Sequence, residues 1–211
     1  MTKKRAQTLG EEIGNSVTHG VMALFAVVAT ILMYLKCETP RAYVGVTIFG
    51  VCMFLLYLMS CLYHSFKNGS SVKKVFRIFD HCSIFLLIGG TYAPILLVTV
   101  YDINKVVALS FFIVQWSLIL IGIICKVLIK FKTTLLHTIL CCLLGWSGLI
   151  LLPFLYKFNL IFFYYILAGG ITYMLGIIFY ALKFKYAHFV WHFFCIGGTI
   201  LHFVAIYLYV L

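Results

Sequence analysis

Seven apolar stretches of about the twenty-residue length that a bilayer-crossing helix needs run almost end to end through this chain. They lie near Asn15–Lys36, Ala42–His64, Phe79–Tyr101, Lys105–Lys126, Thr133–Leu152, Asn159–Leu182 and His188–Leu211. Polar breaks separate them at Cys37–Arg41, Ser65–Ile78, Asp102–Asn104, Val127–Lys132, Pro153–Phe158 and Lys183–Ala187. Connections this short leave no room for a second domain. The expected architecture is all-α: a basic tail over residues 1–14, then one seven-transmembrane-helix bundle over 15–211. With 64% hydrophobic and 10% charged residues among 211, a soluble fold would have an oily exterior, so the bilayer must act as solvent.

Lys3-Lys4-Arg5 ahead of Val21–Leu35 resembles a secretory signal. Glu11 and Glu12 in the flank, the polar start of the span and the lack of a small-residue cleavage site argue for a retained helix.

The net charge of +11 comes from short clusters between apolar runs, not from a basic stripe interleaved with stacking aromatics. Nucleic acid is therefore excluded as a partner, and an anionic leaflet is the expected counter-charge. Lys3, Lys4, Arg5, Lys67, Lys73, Lys74, Arg77, Lys126, Lys130, Lys132, Lys183 and Lys185 fall on one side. Only Lys36, Arg41, Lys105 and Lys157 fall on the other. The positive-inside rule then places the amino terminus in the cytoplasm and the carboxy terminus outside. Plasma membrane is the default location; an internal membrane gives the same bias. The eight cysteines form neither a CxxC pattern nor a secreted disulfide framework, and read as small buried hydrophobes.

Polar rings are expensive inside a bilayer, so the seven histidines demand a partner or a purpose. In the expected orientation, Ser60 and His64 close the second span on the cytoplasmic side, and Asp80 and His81 open the third. His188 and His192 open the seventh, while Glu12, Asn15, Thr18 and His19 enter the first from the same side. Residues four apart share a helix face, so His188 and His192 can present their rings to one ion. His64 supplies a third ligand, giving the three-ligand geometry of a catalytic zinc site with one position open. Zinc suits imidazole better than magnesium or calcium does; nickel, copper and iron remain compatible. His202 lies ten residues beyond His192, about 15 Å along a helix, and cannot share that ion. For His19, His81, His137 and His202 the expectation is interhelical hydrogen bonding or packing, worth about 1 kcal/mol. Asp80 suits either a cap of the third helix or the site. Gly89-Gly90, Gly169-Gly170 and Gly197-Gly198 suit close helix packing, and Pro94 and Pro153 should kink or end helices.

Taken in order, Glu12…Asn15…Thr18-His19, Ser60-x-x-Tyr63-His64, Phe79-Asp80-His81, Thr91-Tyr92-Ala93-Pro94 and His188-x-x-Trp191-His192 with Gly198 and His202 resemble the hemolysin III family. That family belongs to the progestin and adiponectin receptor superfamily, and the resemblance runs from Glu11 to His202. It implies seven helices with a cytoplasmic amino terminus, and a zinc ion held by His64, His188 and His192. It also implies that Asp80 and Ser60 touch the water on that ion. The superfamily includes alkaline ceramidases, which suggests hydrolysis of a lipid amide, while the branch itself carries a historical cytolysin label.

Three functions follow as expectations. The first is a zinc-dependent hydrolase of lipid amides or esters, with Asp80 as general base and Ser60 orienting water or an oxyanion. The second is a pore-forming hemolysin, although a bundle this apolar has no soluble form to release and no amphipathic strand pattern. The third is a receptor or membrane-homeostasis sensor whose structural zinc takes a fourth side chain, Asp80 being the candidate. Membrane lipids are the expected partners in all three, as surroundings, substrate or ligand, together with further copies of the chain if it assembles.

Overall fold

The computed structural model describes residues 6–129 and 134–211, and among them seven helices are long and apolar enough to cross a membrane. They are α1 (Leu9–Tyr34), α2 (Pro40–Ser65), α3 (Ser71–Ile103), α4 (Lys105–Leu128), α5 (Leu135–Phe158), α6 (Leu160–Ala181) and α7 (Ala187–Val210). Lys3, Lys4, Arg5, Lys130 and Lys132 of the charge count lie outside the described residues, as does Thr133, the expected start of the fifth span.

Two helices begin well before their apolar runs. Thr8 caps α1 and forms a capping box with Glu11, so Leu9–Gly14 are helical and not a tail. Ser70 caps α3 by accepting from the Lys73 amide. Asp80 therefore sits in the helix interior, and its expected role as a cap is overturned. Pro153–Phe158, expected as a connection, is the last stretch of α5, with Pro153 near its start where a missing N–H costs nothing. Asn159 then caps α6 through the Ile161 and Phe162 amides.

Helices α1, α2 and α3 pack side by side, α6 pairs with α7, and α7 returns against α1. The core is built where these meet, with Ala26, Ala29, Met33, Val46, Phe49 and Met53 all sealed. Much of α1 and α4 presents Val, Ile and Leu outward, as lipid contact requires. Pro94 is inside α3, where its lost N–H is followed by a wide π-type stretch over Ile95–Val100. A Cβ on Gly45 would stand 2.7 Å from the Pro94 Cα, so only glycine lets α2 cross there.

Helix α5 breaks into a tighter 3-10 turn at Ser147–Leu151. Side chains of α3 and α4 satisfy backbone groups at this break, which a bilayer would leave without water. Tyr92 accepts from the Gly148 amide at 2.9 Å and donates to the Gly145 carbonyl. Gln115 donates to the Leu144 carbonyl at 3.0 Å.

Candidate metal centre

His64 ends α2, while His188 and His192 stand one turn apart at the start of α7. One ligand atom from each lies within 4.8 Å of the other two, the arrangement expected from the spacing. Ring centroids are separated by 5.2 Å for His64 with His188, 5.2 Å for His64 with His192, and 4.9 Å for His188 with His192. His64 and His192 are buried, and the Nε2 of each has no protein partner. Two sealed imidazoles, each with a bare nitrogen and grouped with a third imidazole, fit a metal better than they fit packing, since an unpartnered buried nitrogen costs about 1–3 kcal/mol.

The opposite nitrogen of each of these two rings is occupied, and both partners come from α1. His64 Nδ1 donates to Glu12 Oε2 at 2.7 Å, and the other carboxylate oxygen takes Lys73 Nζ at 2.9 Å. Lys73 also donates to the Phe66 carbonyl at 3.0 Å and lies over the Tyr63 ring. His192 Nδ1 lies 3.4 Å from Thr18 Oγ1. Glu11 turns the other way: its Oε1 accepts from the Tyr186 amide at 2.7 Å, joining α1 to the turn before α7. Tyr186 holds φ at +67°, a left-handed conformation rare for a bulky residue.

Ser60 and Asp80 do not join the imidazole group. Both line a neighbouring cavity of about 220 Å³. That is over ten times the roughly 10–15 Å³ a single water occupies, enough for part of a small molecule. Its walls are mostly apolar, with Ile84, Leu87, Ile95, Leu151 and Leu155 among them. Trp191 and Cys195 of α7, on either side of His192 in sequence, carry the wall up to the histidines.

The remaining histidines divide. His202 donates from Nε2 to the Ile166 carbonyl at 3.1 Å, an interhelical bond of the expected kind. His81 and His137 stack at 4.9 Å, and Cys141 lies 3.6 Å from His137 Nε2. His19 is different: it stacks flat on His192 at 3.6 Å, lines the cavity, and has no partner on either ring nitrogen. Its place beside His192 is not legible from spacing. Lys73 counts in the sequence only as a topology charge. Glu12 carried a usable signal, because an ionisable residue inside a spanning helix is a functional candidate by default.

A family model described as haemolysin-III related matches residues 7–203. The chain is 37% identical to hemolysin-3 of Bacillus cereus, over all of this chain and 98% of that protein. It is 34% identical to the hemolysin-3 homolog of Bacillus subtilis, over 96% of this chain and 95% of the relative. The human monocyte to macrophage differentiation factor is 23% identical, over 96% and 85% respectively. With seven apolar helices and a family match over nearly its full length, the chain is an integral multi-pass membrane protein belonging to the haemolysin-III related family.

Proposed function

We propose that this protein is an intramembrane metal-dependent hydrolase of a lipid amide or ester, its amino terminus in the cytoplasm and its site in the cytoplasmic half of the membrane. One observation carries the reading: three imidazoles, two with bare buried nitrogens, meet beside an apolar cavity that Ser60 and Asp80 line. Zinc suits this donor set, with His64, His188 and His192 as the residues that would hold it. Once bound, zinc polarises a carbonyl and makes water acidic enough, with a pKa near ~7, to supply a nucleophile at neutral pH.

The chain's own groups do the rest. Asp80 takes the proton from the attacking water and returns it to the departing nitrogen or oxygen. Ser60, on the same cavity wall as Asp80, gives its one hydroxyl proton to the developing oxyanion or orients the attacking water. The walls at Ile84, Leu87 and Leu155 receive an acyl chain and keep bulk water away. A closed structural site ordinarily takes four protein ligands, and among the described residues the group contains three, which supports the catalytic reading over a sensor.

The test is metal content and turnover on one preparation in mild detergent. About one zinc per wild-type chain, absent from folded His188→Ala/His192→Ala, together with release of fatty acid from lipid amides, supports the reading. Wild type without metal after chelator-free purification overturns it. The name of the B. cereus relative supports a second reading, cytolysis. Its signature is concentration-dependent leakage of size-graded osmolytes from vesicles that persists in the ligand-free variant.

A further inference from the structure

Helix α1 contributes no ligand to the imidazole group, yet it supplies a hydrogen-bond acceptor to His64 and to His192. Glu12, Asn15 and Thr18-His19 recur at helical spacing, so they form one face turned toward α2 and α7. We infer that this face is the positioning element of the metal centre, with Glu12 and Thr18 locking His64 and His192 in the tautomer that bares Nε2. The inference rests on the metal-centre reading above and assigns residues that never touch the ion.

The chemistry of the partners fixes the tautomers. A carboxylate only accepts, so the 2.7 Å contact outweighs the 3.5 Å approach of the Asn15 amide nitrogen to the same atom and puts the His64 proton on Nδ1 and the lone pair on Nε2. Thr18 has one hydroxyl proton, and it is already given within α1, to the Gly14 carbonyl at 2.9 Å or the Asn15 carbonyl at 3.1 Å. Its oxygen can therefore only accept from His192 Nδ1. Both Nε2 atoms are the ones left without protein partners, which is the pattern this locking produces.

Lys73 holds Glu12 in register. Its ammonium binds the carboxylate oxygen that His64 does not use, so Glu12 cannot swing away and satisfy both demands elsewhere. Glu11, bonded to the Tyr186 amide, fastens the same turn of α1 to the approach to α7. Consecutive carboxylates thus anchor one helix against both helices that carry the ligands.

The test measures zinc affinity of the full-length protein in detergent by competition with a chromophoric chelator, with no turnover needed. Glu12→Gln should bind zinc about 10–100-fold more weakly than wild type. Thr18→Val should weaken binding several-fold, while Thr18→Ser, which keeps the oxygen, should stay close to wild type. Because Glu12→Gln strands the Lys73 charge and can fail to fold, Glu12→Gln/Lys73→Met removes both charges together and should show the same loss of affinity. Wild-type affinity in Glu12→Gln or the double variant, and in Thr18→Val, overturns the inference and leaves the metal centre standing. A wild type that binds no zinc overturns both.

Discussion

Tyr57 of α2 donates to the Thr199 hydroxyl of α7 at 2.7 Å, and Tyr173 of α6 meets the same oxygen at 2.7 Å. One threonine therefore satisfies two buried phenols from two other helices. Thr199→Val keeps the shape and removes that oxygen. Tyr57 retains a 3.4 Å contact with the Cys195 carbonyl, too long to replace what is lost. The variant should fold but lose about 1–3 kcal/mol, the cost of stranding buried polar groups. A lower thermal midpoint in detergent checks this; an unchanged midpoint would show that the phenols find other partners.

Lys73 and Glu12 are an ion pair with side chains only 7% and 11% exposed. Removing one partner strands the other charge, which costs about 3–5 kcal/mol, whereas removing both is often near neutral. Lys73→Met should therefore destabilise strongly, and Glu12→Gln/Lys73→Met should recover most of the loss. Denaturation of both variants without metal separates the ion pair's structural effect from its effect on zinc.

Neighbouring glycines on α6 should behave oppositely. A Cβ on Gly169 would lie 2.3 Å from the His202 ring, while one on Gly170 meets nothing within 4 Å. Gly169→Ala should cost about 1–3 kcal/mol through overpacking. Gly170→Ala should be neutral or stabilising by up to about 1 kcal/mol, since alanine favours the helix. Equal midpoints for the two would mean that α6 and α7 separate easily at this crossing.

The number of spans was legible because each apolar run is long and interrupted only briefly, a pattern tied to bilayer thickness. The starts of α1 and α3 were less so. Their first turns are polar, and reading apolar runs trims them, although the Thr8–Glu11 capping box and the Ser70 cap stand in the sequence as local signals. Spacing of four brings His188 and His192 onto one face, and the geometry shows them meeting His64 at one end of the bundle. Glu12 and His64 are 52 positions apart, and no period links them. Such contacts are set by how α1 leans on α2, which is a property of packing and not of any local pattern.

Removing metal should destabilise the wild type alone. A ligand that binds only the folded state stabilises it according to its saturation, by about 2.7 kcal/mol at a free concentration one hundred times Kd. Chelation should therefore lower the wild-type thermal midpoint by several degrees. The folded His188→Ala/His192→Ala variant should melt at the same temperature with and without chelator. A chelator effect of equal size in that variant would place the relevant ion elsewhere.

Under the proposed hydrolase reading, Asp80 is the residue whose substitution would separate turnover from metal binding. It is buried in the interior of α3, lines the cavity beside Ser60 and lies outside the imidazole group. Asn has the same shape, but it cannot take a proton at neutral pH. If Asp80 is the general base, Asp80→Asn should retain about one zinc per chain and lose roughly 10²–10⁴ in turnover of a lipid amide. Ser60→Ala should do less to turnover, because it leaves the carboxyl in place. If Asp80 instead closes a structural site as a fourth ligand, zinc affinity should fall with Asp80→Asn, and the sensor reading would replace the hydrolase. Metal content and turnover measured on one preparation therefore distinguish the two roles, since each predicts the loss of a different quantity.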